Sequence, residues 1–286
     1  MSSVPYRLLQ PSVQITSVIF SSPHSGRDYP RAFLRDAQLS EHMVRSSEDA
    51  FVDMLFDSAP AYGAPFLAAM APRAYVDLNR ASDELDPALI EGLGRVTHNP
   101  RISSGLGVIP RVVANGRVIR SGKIPLDEAR ARLRDYWHPY HDCLQDLLDS
   151  AHYTFREAIL VDCHSMPHEA LDSLARRGGR RPEVVLGDRF GASASSEVVD
   201  RIEEAFRRAG LRTVRNAPFA GGYITQHYGR PSRNQHAVQI EIDRSLYMNE
   251  QQIRPNSSFE QFRDMMRGVI EEIAQVGRRN QKLAAE

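Results

Sequence analysis

The sequence predicts an α/β fold built on a mainly parallel sheet covered on both faces. Three observations predict it. Short apolar, β-branched runs recur at Val13–Phe20, Ala158–Val161, Val184–Leu186 and Ala237–Ile242, and such runs mark strands buried on both sides. Segments with helical spacing stand between them. Across 286 residues there is no internal repeat and no Pro/Gly/Ser linker, which predicts one domain over residues 1–286.

Taken in order, VQITSVIF (Val13–Phe20) reads as the first strand, and Ser21-Ser22-Pro23-His24-Ser25-Gly26 as the sharp loop at its end. A helix is predicted from Ser40 to Ser58, with Val44, Phe51, Leu55 and Phe56 near one face and Ser46 or Ser47 capping its second half. Phe66–Met70 (FLAAM) and Arg73–Leu78 (RAYVDL) read as two further strands. Residues 79–124, rich in Gly, Pro, Asn and Arg, read as an irregular insertion with one hairpin, Arg111–Ile119, turning at Asn115-Gly116. Loops of this length inside a compact domain usually carry function.

Leu133, Tyr136, Tyr140, Cys143, Leu144, Leu147 and Leu148 keep helical spacing over Pro125–Ser150, where Pro139 predicts a kink or a split. Ala158–Val161 runs into Asp162-Cys163-His164-Ser165. The basic loop Arg176–Arg181 reads as solvated. Helices are expected from Ser195 to Ala209 and over Phe259–Val276, with a frayed polar tail to Glu286.

The 36 Lys+Arg balance 36 Asp+Glu. That neutrality excludes a dedicated nucleic-acid binder, which needs a basic excess. Two cysteines without a CxxC pair fit a reducing, cytoplasmic location. The N-terminus has no signal-peptide pattern, and no window approaches ~18 consecutive apolar residues, so no membrane partner is expected. A homo-oligomer stays open.

Chemistry-bearing residues gather at strand ends. His24 follows VIFSSP, His164 follows AILVDC, and Asn79-Arg80 follow AYVDL. Parallel sheets bind ligands beyond the carboxyl ends of their strands, so the two histidines can meet. Two imidazoles and a carboxylate suit Zn²⁺ with one position open to water. The adjacent acids Glu48 and Asp49 are both candidates for the third ligand. A lone strand-end histidine is more often a hydrogen-bonded structural residue; two of them on separate strands weigh against that reading. Glu241, inside AVQIEID, is either paired with Arg244 or a general base of raised pKa. Arg73, Asn79 and Arg80 suit a small carboxylate substrate, though Asp77 and Asp83 could equally be their counter-charges. His138 and His141, at i and i+3 on the long helix, read as structural, with exposure left open. No GxGxxG, GxxxxGK[ST] or GxSxG is present.

The ordered set PHSGRDYP, RAYVDLNR with ELDP, GLGVIPR, YHDCL, VDCHSMP, GDRFG, PFAGGYITQHYGRP and HAVQIEIDRSLYM resembles the N-formylglutamate amidohydrolase family from about Ile19 to Met248. The resemblance implies a zinc-carboxypeptidase-like three-layer α/β/α sandwich around a mixed, mainly parallel sheet. It implies His24 and His164 as zinc ligands, with Asp49 favoured over Glu48 as the third, although SSEDAF departs from the family's DTDW-like segment. Glu241 would take the general-base place and Asn79-Arg80 the α-carboxylate. Gly221-Gly222-Tyr223 would form a pocket loop, Arg73 an anion or oxyanion contact, and Arg244 a further substrate contact. The implied reaction is zinc-dependent hydrolysis of N-formyl-L-glutamate to formate and L-glutamate, in histidine catabolism. The alternatives are a deacylase or peptidase of other range, and a non-catalytic binder of acidic metabolites on the same fold.

Overall fold

The computed structural model describes residues 4–94, 99–172 and 181–278. In chain order its strands are β1 (Tyr6–Leu9), β2 (Val18–Ser22), β3 (Phe66–Ala69), the two-residue β4 (Val112–Val113) and β5 (Arg117–Val118), β6 (Ala158–Met166), β7 (Val184–Gly187), β8 (Thr213–Arg215), β9 (Gln235–Asp243), and the two-residue β10 (Met248–Asn249) and β11 (Arg254–Pro255). Seven of these form one sheet in the order β1-β3-β2-β6-β9-β7-β8. The block β3-β2-β6-β9 is parallel; β1 and β7 run antiparallel to their neighbours in it. The sheet is therefore mixed and mainly parallel, as the resemblance implies.

Alternation along β6 and β9 builds the layers. Ile159, Val161, Cys163, Val238, Ile240 and Ile242 face a core shared with the helices Ser196–Arg208 and Phe259–Val276. Leu160 and Ala237 face the opposite core, shared with the helices Leu126–Arg132, His138–Phe155 and Tyr223–Tyr228. Side chains of both strands are buried almost throughout, so a polar residue on either needs a partner inside the protein.

The structure departs from several expectations. Arg73–Leu78 is not a strand. Tyr75 N and Val76 N donate to Pro72 O, and Asp77 N donates to Val108 O of the insertion. The apolar residues Ala74, Val76 and Leu78 alternate in sequence and pack with residues of that insertion, which imitates a strand pattern, although Asp77 between them is buried too. The stretch Ser40–Ser58 breaks into Glu41–Val44, a 3₁₀ turn at Arg45–Ser47 and Val52–Leu55, with Asp49 in the break. Ser40 caps its start, accepting from Met43 N at 3.3 Å, and neither Ser46 nor Ser47 caps the second half, Val52–Leu55, which Phe51 precedes without a side-chain cap.

Pro139 leaves the helix continuous, but Leu133–Trp137 just before it is a π-helical turn, because proline offers no N–H to the carbonyl four residues back. The hairpin is present, with Asn115 and Gly116 at φ 61° and 67°. The edge strands β1 and β8 and the helices Arg31–Asp36 and Tyr223–Tyr228 carry no strong sequence signal. The basic loop before Arg181 and the tail after Arg278 lie outside the described residues. Among the described residues no helix is long and apolar enough to cross a membrane.

Candidate functional site

His24 sits two residues beyond β2, in a loop held by the Ser22–Ser25 hydroxyl pair at 2.8 Å. His164 lies inside β6, with its Cα paired to that of Glu241 on β9. Asp49 comes from the helix break and is tied to the first loop by Asp49 N donating to His24 O at 3.0 Å. One ligand atom from each of His24, Asp49 and His164 lies within 4.8 Å of the others, and all three residues are buried. The imidazole centroids are 4.7 Å apart.

Each imidazole has its Nε2 occupied by a carboxylate. His24 Nε2 meets Asp77 Oδ1 at 2.7 Å, and His164 Nε2 meets Asp162 Oδ2 at 2.9 Å. Both Nδ1 atoms turn toward Asp49 Oδ2, at 3.4 Å from His24 and 2.9 Å from His164. His24 Nδ1 is buried and makes no hydrogen bond. A carboxylate behind each imidazole fixes the tautomer that presents its other nitrogen to a metal.

Electrostatics agree with that donor set. Burial alone would raise the Asp49 carboxyl, but the two imidazoles hold it well below the usual carboxylate range. Burial pulls the His164 imidazole down, yet Asp162 and Asp49 hold it well above its ordinary value. Three carboxylates around two rings favour positive charge at their centre. These residues fit a divalent ion bound by two nitrogens and one oxygen.

Glu48 is not part of this group. Its carboxylate accepts from Tyr29 Oη at 2.6 Å and from Arg45 Nε at 3.0 Å, on the side away from the imidazoles. Arg244 lines the cavity, but its Nη2 donates to Asp49 Oδ1 at 3.0 Å and to Glu48 O at 2.7 Å. It orients Asp49 rather than presenting a free guanidinium, and it does not pair with Glu241.

Asp77 ties the next group together. Besides His24, it accepts from Arg73 Nε at 3.0 Å and from Asn79 N at 2.9 Å. Burial would raise its carboxyl, but Arg73, His24 and Arg80 hold it well below the usual range. Asn79 Oδ1 accepts from Ile224 N at 2.8 Å, which fixes the amide and points Nδ2 toward His164. Since His164 Nε2 gives its proton to Asp162, Asn79 Nδ2 keeps donors for a ligand.

Arg80 is 8% exposed and donates to two carbonyls, Leu106 O at 3.0 Å and Asn79 O at 2.8 Å. Burial leads in pulling its guanidinium below its ordinary value.

Glu241 opens onto the same cavity. Its pKa is pushed up to about 7, chiefly by burial, with Asp49 adding to the rise. Gln239 Nε2 donates to Glu241 Oε1 at 2.7 Å, and Gly222 N donates to Gln239 Oε1 at 2.8 Å. A Cβ on Gly222 would lie 2.5 Å from both polar atoms of the Asn79 amide, so only glycine fits. The Tyr223 ring instead packs on Trp137, His141 and His227, and Tyr223 is not among the residues lining the cavity.

Sequence reasoning missed the residues behind this surface. His141 is buried, not exposed. Its Nε2 donates to Leu78 O at 2.9 Å, and its Nδ1 accepts from Tyr228 Oη at 2.9 Å. Trp137 Nε1 donates to Arg80 O at 2.9 Å. The long helix thus grips the carbonyls on either side of Asn79, and Trp137 closes the π-helical turn. Asp162 and Gln239 also went unassigned, and Asp77, read as a counter-charge, pairs with Arg73 but also holds His24. Asp162 stands two residues from His164 on β6, a same-face signal the sequence did carry.

The cavity measures about 610 Å³ and is lined by His24, Asp49, His164 and Glu241 together with Arg73, Asn79 and Arg80. A profile of the N-formylglutamate amidohydrolase family matches residues 16–248. The chain is 35% identical to N-formylglutamate deformylase of Pseudomonas aeruginosa over 243 residues, covering 82% of this chain and 83% of that protein. It is 33% identical to the N-formylglutamate deformylase of Pseudomonas putida, covering 82% of each. The crystal structure of N-formylglutamate amidohydrolase from Ralstonia eutropha JMP134 superposes with a TM-score of 0.90 at 32% identity, covering 97% of this chain and 99% of that one. A protein of Agrobacterium tumefaciens, at 16% identity and a TM-score of 0.64, shares the fold. By profile, by identity and by superposition along nearly its whole length, this chain belongs to the N-formylglutamate amidohydrolase family.

Proposed function

We propose that this protein hydrolyses the formyl amide of N-formyl-L-glutamate to formate and L-glutamate, with zinc held by His24, Asp49 and His164. One observation carries the reading: two imidazoles, each backed by a carboxylate at Nε2, turn their Nδ1 atoms to a shared aspartate beside a buried glutamate. The relatives named N-formylglutamate deformylase support the substrate. Bound there, the metal would polarise the formyl carbonyl and make water acidic enough to attack near neutral pH.

The chain's own residues do the rest. Arg80 and Asn79 Nδ2 hold the α-carboxylate and set the amide in the cavity. Glu241, kept proton-hungry by burial and steadied by Gln239, takes the proton from the attacking water and delivers it to the amide nitrogen as the C–N bond breaks. Arg73, anchored on Asp77, supplies positive charge to the developing oxyanion. Arg244 keeps Asp49 in register.

Unpaired Cys143 and Cys163 support a reducing, cytoplasmic setting, and the products suit the last step of histidine degradation by a formylated route. Formate release from N-formyl-L-glutamate, with N-acetyl-L-glutamate in parallel, tests the reading. Equal formate and glutamate, with the acetyl compound slower, are expected. Turnover of the acetyl compound alone would move the protein to the deacylases. Binding of the formyl compound without turnover would make it a metabolite-binding protein.

A further inference from the structure

Four guanidinium groups line the cavity, from Arg73, Arg80, Arg101 and Arg244. Two are committed to carboxylates: Arg73 to Asp77 at 3.0 Å, and Arg244 to Asp49 at 3.0 Å. The other two are not. Arg80 donates to carbonyl oxygens, and the Arg101 side chain has no hydrogen bond or ion pair among the described residues. Arg101 is near enough to Arg80 for its charge to add to the burial that disfavours the Arg80 cation. Arg80 donates only to carbonyl oxygens and Arg101 is exposed on the cavity wall, so each guanidinium is available to an anion that a ligand brings.

We propose that Arg101 is the specificity-determining residue of this site, receiving the distal carboxylate of a dicarboxylic substrate whose α-carboxylate sits on Arg80. The assignment rests on the deformylase reading above and says how that site tells glutamate from neutral amino acids.

Position supports it. Arg101 lies on the short helix Pro100–Ser103 of the insertion, held by Asn99 Oδ1 accepting from Arg101 N at 2.9 Å and by Leu106 N donating to Arg101 O at 2.8 Å. Leu106 O in turn accepts from Arg80 Nε. One short segment therefore sets both cations.

The test compares wild type, Arg101→Met and Arg101→Lys, each loaded with zinc, on N-formyl-L-glutamate and its neutral isostere N-formyl-L-glutamine. Losing a charge-assisted pair costs about 10–100-fold. Arg101→Met should therefore cut the glutamate-to-glutamine ratio of kcat/KM by that factor, mainly through KM, with Arg101→Lys in between. Calorimetric titration with L-glutamate and L-glutamine should show the same loss of discrimination in binding alone. An unchanged ratio in an active Arg101→Met enzyme overturns the assignment and leaves the deformylase reading standing. A wild type that turns over neither compound overturns both.

Discussion

At the residue scale the proposed proton transfer depends on Glu241. A carboxyl buried in a strand is costly unless it is paired or used, and here Gln239 gives it one hydrogen bond while burial pushes its pKa to about 7. Glu241→Gln keeps the shape and removes the base. Steady-state kinetics should show kcat lower by about 10²–10⁴-fold with KM little changed; a kcat within a few-fold of wild type would remove Glu241 from the proton transfer. Glu241 was legible because a charge interrupts an apolar alternating run. The choice between Glu48 and Asp49 was not, because neighbouring acids differ only in where the helix break aims them. Arg45 three residues before Glu48 claims it, while Asp49 is left facing the rings.

His141 makes a pH prediction at the same scale. Burial pushes its pKa down to about 3, so the folded protein keeps it neutral while the unfolded chain protonates it below pH 6.5. Its contribution to stability is complete above pH 6.5 and is lost as pH falls from 6.5 toward 3. Between pH 7.5 and 5 this residue alone should cost about 2 kcal/mol of unfolding free energy. Urea denaturation of wild type and His141→Gln, which can still donate to Leu78 O, should show a flatter pH dependence in the variant. Parallel curves would contradict the assignment.

At the element scale, function depends on contacts between segments far apart in sequence. The N-terminus of the helix Tyr223–Tyr228 touches Asn79 through Ile224 N, and the residue before it touches Gln239 through Gly222 N. One turn thereby sets both the Asn79 amide and, through Gln239, the Glu241 carboxyl. Gly222→Ala places a Cβ against the Asn79 amide. A displacement of that size at a binding group should lower kcat/KM by about 10²-fold, and kinetics near wild type would show that the turn does not set Asn79.

The long central strands were readable because β-branched runs can be buried on both faces. The edge strands β1 and β8 were not, since three or four half-exposed residues carry too little pattern. Arg73–Leu78 misled for the opposite reason. Its alternate residues are buried, but beneath a loop rather than in the sheet, and periodicity reports burial without saying what does the burying.

At the scale of the whole molecule, the mixed sheet brings the carboxyl ends of β2, β6 and β9 together, and the helix His138–Phe155 holds the Leu78 carbonyl beside them. Asp49, Asp77 and Asp162 are all buried there, so a cation between them should stabilise the fold as well as the reaction. Ion bound at a large excess over its Kd favours the native state by mass action. Removing it with a chelator should lower Tm by about 5–10 °C, as read by differential scanning calorimetry. An unchanged Tm would show that no ion is held in the core.

The most direct test counts metal per chain in purified wild type and in His24→Ala, Asp49→Asn and His164→Ala, beside formate release from N-formyl-L-glutamate. The account predicts one divalent ion in the wild type, its loss from all three variants, and loss of formate release with it. Formate release at full rate from exhaustively chelated protein, or retention of the ion by the variants, would contradict it.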